Sequence, residues 1–348
     1  MSRATTIELD AGDKTFASGL LPELIAAFRG SQQGDLLAVT ADADGLGGEL
    51  EAWCRFTRNG LVGMEYVAGR PRWTIRCGEA DLGTDLGADR DRPIGSRLWL
   101  YTNFDCNLQC DYCCVRSSPR TARRPLGIER VRRISREAPD LNVREIFLTG
   151  GEPFVLPEIG DIIAACAAAA PTTVLTNGML LKGRRLEILR QQAPSRVTLQ
   201  VSIDSATPER HDLHRGAGSW ALAWDGIRRA RALGFRVRIA ATLSEASEEA
   251  EFHQFLDEQG VAEEDRVIRR VALRGFAEAG IAIARADLLP EITITDGGVY
   301  WHPVGADDAD LLVTHEIFPL AAAFTAVRRA FDQDRSHQSR LASIFNCA

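Results

Sequence analysis

No hydrophobic run in this sequence is long enough to cross a bilayer. The longest, "DIIAACAAAA", is about half of what a membrane-spanning helix needs. The N-terminal "MSRATTIELD" also lacks the apolar segment of a secretory signal peptide. The expectation is therefore a soluble cytoplasmic protein with no membrane partner. An excess of positive charge is missing as well: 48 acidic against 41 basic residues give a net charge of −7 over 348 residues. That balance argues against a general nucleic-acid binder, which presents a basic face. Arginines do gather between Arg116 and Arg136, in "VRSSPRTARRPLGIERVRRISRE", and read as a solvated loop and helix face. There is no internal repeat and no low-complexity tract.

Cysteine, by contrast, is unevenly placed. Of eight cysteines, Cys106, Cys110, Cys113 and Cys114 fall within "CNLQCDYCC", while Cys54, Cys77, Cys166 and Cys347 are scattered. A secreted disulfide scaffold is shorter and denser in cysteine; in a cytosolic chain such a cluster points to metal or redox chemistry.

The length and the 45% hydrophobic content suffice for two domains with their own cores. Residues 1–78 read as a small α/β unit. "TTIELD" and "DLLAVTAD" are strands, "GLLPELIAAFRG" and "GGELEAWCRFTRNG" helices, and "LVGMEYVAGRPRWTIRC" a hairpin turning at Gly69. Residues 79–95, rich in Gly and Asp and without apolar period, read as a linker. From Arg97 strands and helices alternate. The strand candidates are "RLWLYTN", "REIFLTG", "TTVLTN", "RVTLQVSID", "FRVRIAATL" and "RVIRRVAL". Six strands with crossover helices imply a parallel sheet, curved or doubly wound, with function gathered at the strands' C-terminal ends. After about Gly280 the pattern breaks into the hairpin "EITITDGGVYWHP" and a last helix, "LAAAFTAVRRAFDQ".

Cys106, Cys110 and Cys113 follow directly on the first strand of the parallel set, which puts them on a loop at that functional end. Three thiolates can hold three irons of a cubane and leave the fourth open for a ligand; clusters are otherwise held by four. Zinc is the competing reading, but a closed zinc site wants a second Cys or His pair, and Cys166 and Cys347 do not make one. Spacing alone favours iron–sulfur over zinc.

"CNLQCDYC" resembles the Cys-x-x-x-Cys-x-x-Cys loop of the radical SAM enzymes, with the aromatic Tyr112 before the third cysteine. "LTGGEPF" is similar to that superfamily's Gly-Gly-Glu-Pro motif, and "LTNGMLL" and "VSIDSATPERHDLHRGAGSW" resemble its third and fourth strand ends. The matches run in order from about Arg97 to Gly275. The resemblance implies a partial (β/α)6 TIM-like barrel over residues 96–275. It implies a [4Fe–4S] cluster on Cys106, Cys110 and Cys113 that binds S-adenosylmethionine (SAM), cleaves it to a 5′-deoxyadenosyl radical and so abstracts hydrogen. Cys114 is then spare, a small packed residue. An oxygen-sensitive enzyme is implied, with ferredoxin or flavodoxin as electron donor.

The matched residues take these implied roles. Gly150 and Gly151 let backbone approach the methionine end of SAM. Glu152 accepts from its amino group, and Pro153 fixes the turn. Ser202 suits ribose or carboxylate. Arg215 pairs with the SAM carboxylate, or else forms an ordinary loop ion pair with Asp204. Asn177 is a weaker contact, and Tyr112 lies by the adenine, mostly through backbone.

Residues 5–77 resemble, in strand and helix order, the two-layer α/β TusA-like sulfur-carrier domain. Where that family carries its persulfide cysteine, Phe16 and Ala17 stand here. Cys54 reads as core, so recognition of a substrate or partner is expected instead of sulfur relay. Residues 276–348 faintly resemble the SPASM extension of peptide-modifying radical SAM enzymes, with His302 where the first auxiliary-cluster cysteine belongs and hence no second cluster expected. His302 and His315 read as structural more readily than as ligands or acid–base groups, and Cys347 as a tail thiol without a role. The implied substrate is a ribosomal peptide. The alternatives are a small molecule in biosynthetic or sulfur-related metabolism, or a non-catalytic iron–sulfur sensor.

Overall fold

The computed structural model describes residues 6–16, 18–28, 35–42, 46–57, 59–77, 93–243, 248–285 and 288–345. The expected linker lies mostly, and Ala17 and Cys347 entirely, outside the described residues. The chain divides into two compact units, residues 1–92 with 333–348, and residues 93–332.

In the first unit the order is β1 (Thr6–Gly12), α1 (Leu20–Phe28), β2 (Leu36–Ala41), α2 (Leu46–Thr57), β3 (Gly60–Val67) and β4 (Arg70–Arg76). The sheet runs β1-β2-β4-β3. A helical crossover leaves β1 and β2 parallel, whereas the short β3–β4 connection makes those strands antiparallel. Both turn residues of that hairpin, Ala68 (φ 51°) and Gly69 (φ 83°), are left-handed, which matches the twist of the strands they join. Leu20, Leu24, Leu37, Val39, Leu50, Trp53 and Ile75 form the core, and Cys54 is buried among them.

The second unit supplies the six parallel strands: β5 (Arg97–Tyr101), β6 (Glu145–Thr149), β7 (Thr172–Thr176), β8 (Val197–Ser202), β9 (Arg236–Leu243) and β10 (Arg266–Arg270). The helices between them are α3 (Ile128–Glu137), α4 (Ile159–Ala169), α5 (Gly183–Arg190), α6 (Pro208–Arg215), α7 (Ser219–Ala232) and α8 (Glu248–Glu258). This is a mixed α/β fold on a parallel sheet, a partial TIM-like barrel. Side chains alternate across each strand. Leu98, Leu100, Ile146, Leu148, Val174, Leu199, Val201, Val237 and Ile239 face the helices and form one core with Val131, Ile134, Ile159, Ile162, Trp224 and Ile227. The opposite face carries Trp99, stacked on Phe147 at 4.2 Å, and Tyr101, stacked on Phe104 at 5.4 Å.

The expected C-terminal hairpin is β11 (Thr293–Thr295) with β12 (Gly298–Tyr300). It extends the same sheet, because β11 pairs in parallel with β5, and β13 (Leu312–Thr314) follows at the edge. The last helix, α9 (Leu320–Phe345), inserts Leu320, Ala323, Phe324 and Val327 into the second core. Among the described residues no helix is long and apolar enough to cross a membrane.

Candidate iron–sulfur site

The thiol loop leaves the C-terminal end of β5 and is held at its base by β6. Gly151 N–H donates to Asn103 O at 3.0 Å, and Glu152 N–H to Asp105 O at 3.1 Å. These contacts explain the two glycines more directly than an approach to SAM does. A Cβ on Gly151 would sit 2.1 Å from Asp105 O, and one on Gly150 (φ 151°) 2.4 Å from Asn103 O. The atoms a side chain would strike belong to the thiol loop itself. Asn103 adds a strap, its Nδ2 donating to Asp105 O at 2.7 Å and to Glu152 O at 3.2 Å.

Cys106, Cys110 and Cys113 are half-buried. Burial raises the Cys106 and Cys110 thiols, the latter to about 11, while Arg215 pulls Cys110 back down. Thiolates at these positions therefore ask for a compensating cation, as metal-ligating cysteines do. Backbone already supports them: Leu108 N–H donates to Cys106 Sγ and Ser117 N–H to Cys113 Sγ, both at 3.3 Å. Such hydrogen bonds to sulfur are one of the levers by which proteins tune iron–sulfur clusters. Among the described residues no three His, Cys, Asp or Glu side chains converge closely enough for a single metal ion. A cubane takes one thiolate on each of three irons, and three half-buried thiols on one loop, two of them receiving backbone N–H groups, supply such a set. The donor set thus fits the implied cluster. Cys114 packs beside Tyr101, Phe104 and Ala306, and burial, with Cys113 adjoining, pushes it up to about 12.

Glu152 is fully buried and its carboxylate is largely occupied. Oε1 accepts from Phe154 N at 3.0 Å and Thr176 Oγ1 at 2.7 Å, and Oε2 from Asn177 N at 2.8 Å. Burial raises its pKa, against these three hydrogen bonds. The side chain ties the ends of β6 and β7 together, with a lone pair to spare for a ligand. Pro153 is buried and opens the short 3₁₀ turn Pro153–Val155. Asn177 Nδ2 donates to Asn107 Oδ1 of the thiol loop at 2.8 Å, so its side chain braces the loop.

Arg215 and Tyr112 are placed otherwise than the SAM roles alone anticipate. Arg215 holds Asp204 with two nitrogens, Nε at 2.5 Å and Nη2 at 3.2 Å, and lies 5.5 Å from the Tyr112 ring centre. The Tyr112 hydroxyl donates to the same Asp204 carboxylate, so the side chain is engaged and not merely the backbone. Thr242 N–H adds a bond to Asp204 at 3.0 Å. Burial works to raise the Asp204 carboxyl, but the Arg215 charge and these hydrogen bonds hold it below the usual range. Asp204 is thus the hub linking the thiol loop, β8, α6 and β9. Ser202 stands half-exposed at the end of β8.

Several supports have no signature in the sequence. Gly275 (φ 65°) lies against the third thiol's backbone: a Cβ there would be 2.1 Å from Cys113 O, and Phe276 N–H donates to that oxygen at 2.9 Å. His214 Nδ1 meets Asp111 Oδ2 at 2.8 Å. The arginine-rich stretch is a largely solvated loop and helix face, as expected, and within it Arg123 pairs with Asp105 at 2.9 Å and Arg124 with Asp296 at 3.2 Å. His302 Nδ1 accepts from Val304 N at 3.1 Å, and His315 Nδ1 lies 2.9 Å from Gly297 O, both local structural bonds.

Residues 100–257 match the radical SAM superfamily profile. The subtilosin biosynthesis protein AlbA of Bacillus subtilis is 34% identical over 152 residues, covering 42% of this chain and 34% of that protein. The GTP 3′,8-cyclase of Tolumonas auensis is 31% identical over 164 residues (46% of this chain, 48% of that one), and the mycofactocin maturase MftC of Mycobacterium ulcerans 29% over 174 (49% and 46%). The chain thus spans less than half the length of these curated relatives. The solved structure of anSMEcpe with bound AdoMet superposes with a TM-score of 0.54 at 12% identity, covering 68% of this chain and 82% of that one, a likeness of fold.

Proposed function

We propose, because residues 100–257 match the radical SAM superfamily profile, that this chain is an enzyme that cleaves SAM at a [4Fe–4S] cluster held by Cys106, Cys110 and Cys113 and removes hydrogen from a peptide substrate. The observation that carries the reading is the thiol triad on the loop after β5, with backbone N–H groups on two of its sulfurs. When bound, the cluster supplies the electron that splits SAM into methionine and a 5′-deoxyadenosyl radical; the cofactor carries that chemistry. The chain's own residues hold and orient. Glu152, fixed by three donors, offers its remaining lone pair to the SAM amino group. Arg215, oriented by Asp204, keeps Nη1 for the SAM carboxylate. Asn177, Ser202 and Tyr112 line the same strand ends.

A peptide substrate is supported by the names of two relatives, a bacteriocin biosynthesis protein and a maturase. A small molecule is the second reading, favoured by the GTP 3′,8-cyclases. The βαβαββ order of the first unit supports its TusA-like reading, as a recognition domain. Ferredoxin or flavodoxin is the proposed electron donor. The test is anaerobic: reconstitute with iron and sulfide, add SAM and dithionite, and quantify 5′-deoxyadenosine. The parent protein is expected to form it, and the Cys106→Ala, Cys110→Ala, Cys113→Ala variant to form none. Stimulation by a short peptide marks the first reading and by a nucleotide the second. A fully loaded parent protein that releases none overturns the enzyme reading in favour of a sensor.

A further inference from the structure

Arginines on the last two parallel strands divide into two sets. Arg236 pairs with Asp265 at 2.6 Å, Arg266 with Asp257 at 2.5 Å and Arg270 with Glu249 at 2.8 Å. Arg238 and Arg269 meet no carboxylate in this way among the described residues. The alternation of the strands explains why. On β9, Val237, Ile239, Ala241 and Leu243 lie in the core beneath the helices, so Arg238 points the other way, into the barrel. On β10, Ile268 packs on that core and Arg270 reaches α8, so Arg269 between them faces the barrel too. The strands pair with Thr242 opposite Arg269, which puts Arg269 near the C-terminal, functional end.

The charged and titratable neighbours of Arg269 come from several elements. Its guanidinium acts on Cys114 of the thiol loop, on Tyr101 of β5 and on His302, and Arg238 acts on it. Arg269 is itself exposed to solvent. Asp204 acts on it from a distance, but that carboxylate is taken by Arg215 and Tyr112. Arg238 Nε is buried and has no hydrogen-bond partner among the described residues. His302 completes the set: its Nδ1 accepts from Val304, so its proton sits on Nε2 and the ring is a donor there. Burial, together with Arg269 and Arg274, keeps that imidazole neutral, at a pKa of about 4.

Two like charges that act on each other from one face of the sheet cost free energy unless an anion joins them. We propose that Arg238 and Arg269 form an anion subsite for the substrate, taking a carboxylate or phosphate group of the molecule from which hydrogen is removed. The inference rests on the enzyme reading above and adds its substrate class. Cys114, which Arg269 faces, adjoins Cys113, so a substrate anchored there is held beside the cluster loop.

The experiment uses the reconstituted holoenzyme with saturating SAM, which fills the site for SAM's own carboxylate. The probes are inorganic pyrophosphate and N-acetylglutamate, with N-acetylglutamine as the control that lacks the side-chain charge, each measured by equilibrium dialysis. The parent is expected to bind an anionic probe. Arg238→Gln and Arg269→Gln should each weaken that binding by about tenfold or more, the scale of a lost charge-assisted hydrogen bond, while Arg236→Gln leaves it unchanged. Preference for pyrophosphate assigns a phosphate, and preference for N-acetylglutamate a carboxylate. Should the glutamine variants misfold, phenylglyoxal labelling of the parent, mapped by mass spectrometry, gives the same answer: probe must protect Arg238 and Arg269 and leave exposed Arg228 reactive. Equal binding by parent and folded variants, or labelling unaffected by probe, overturns the subsite. Deoxyadenosine formation by the parent is scored separately, so failure of the enzyme reading and failure of the subsite are told apart.

Discussion

Replacing Gly151 by alanine tests how the site is held together. The added methyl would lie 2.1 Å from Asp105 O and 2.6 Å from Asp105 C, about 1.3 Å short of the ~3.4 Å of ordinary contact. Those atoms are backbone and cannot swing aside, so β6 and the thiol loop must part. Overpacking of this kind costs about 2 kcal/mol, and the two hydrogen bonds that span the gap add about 1 kcal/mol each if both open. A loss of about 4 kcal/mol corresponds to a fall of about 10 °C in Tm for a unit of this size. The expected phenotype is specific: Gly151→Ala folds, melts about 10 °C lower by circular dichroism and retains well under half of the parent's iron after reconstitution. Gly48→Ala is the control, because a Cβ there meets nothing within 4 Å. A Gly151→Ala protein with parental Tm and a full iron complement would refute the argument that this glycine exists to seat the loop.

Two other perturbations probe the buried charges. Asp204→Asn leaves Arg215 buried without its counter-charge and should destabilise by about 3–5 kcal/mol in urea titration; a change below about 1 kcal/mol would mean that solvent reaches the pair. His211 is buried, its Nδ1 accepts from Asp204 N at 3.1 Å, and burial lowers its pKa from 6.5 to about 4. The folded state thus keeps the ring neutral while the unfolded chain takes up a proton, so stability falls as pH drops below 6.5 toward 4. From pH 7 to pH 5 this one group should cost about 2 kcal/mol, and His211→Gln should flatten that part of the pH–stability curve; an unchanged slope would sink the assignment.

Much of this protein was legible from local pattern. Short strand-like segments alternating with helical ones marked β5 to β10, and Gly69 marked the β3–β4 turn. The three thiols announced their chemistry because ligand spacing is itself local. The partners of those residues were not legible. Nothing within a few residues of Arg215 chooses between a SAM carboxylate and Asp204 as its partner, or says that Tyr112, 92 positions away from Asp204, shares the carboxylate. Asp204 and Gly275 lie far from the thiols along the chain, and only folding brings them to Tyr112 and Cys113 O.

The sequence by itself determined which thiols stand together on one loop and where the six parallel strands lie, since both follow from side-chain type and short-range spacing. The tertiary structure alone decided what surrounds them. It turned Glu152 into a buried tie between strands, made a glycine at 151 a steric necessity, and left Arg238 and Arg269 facing the barrel interior while neighbouring arginines found acids. Burial and charge pairing depend on the distance between groups in space, and sequence separation does not encode that distance.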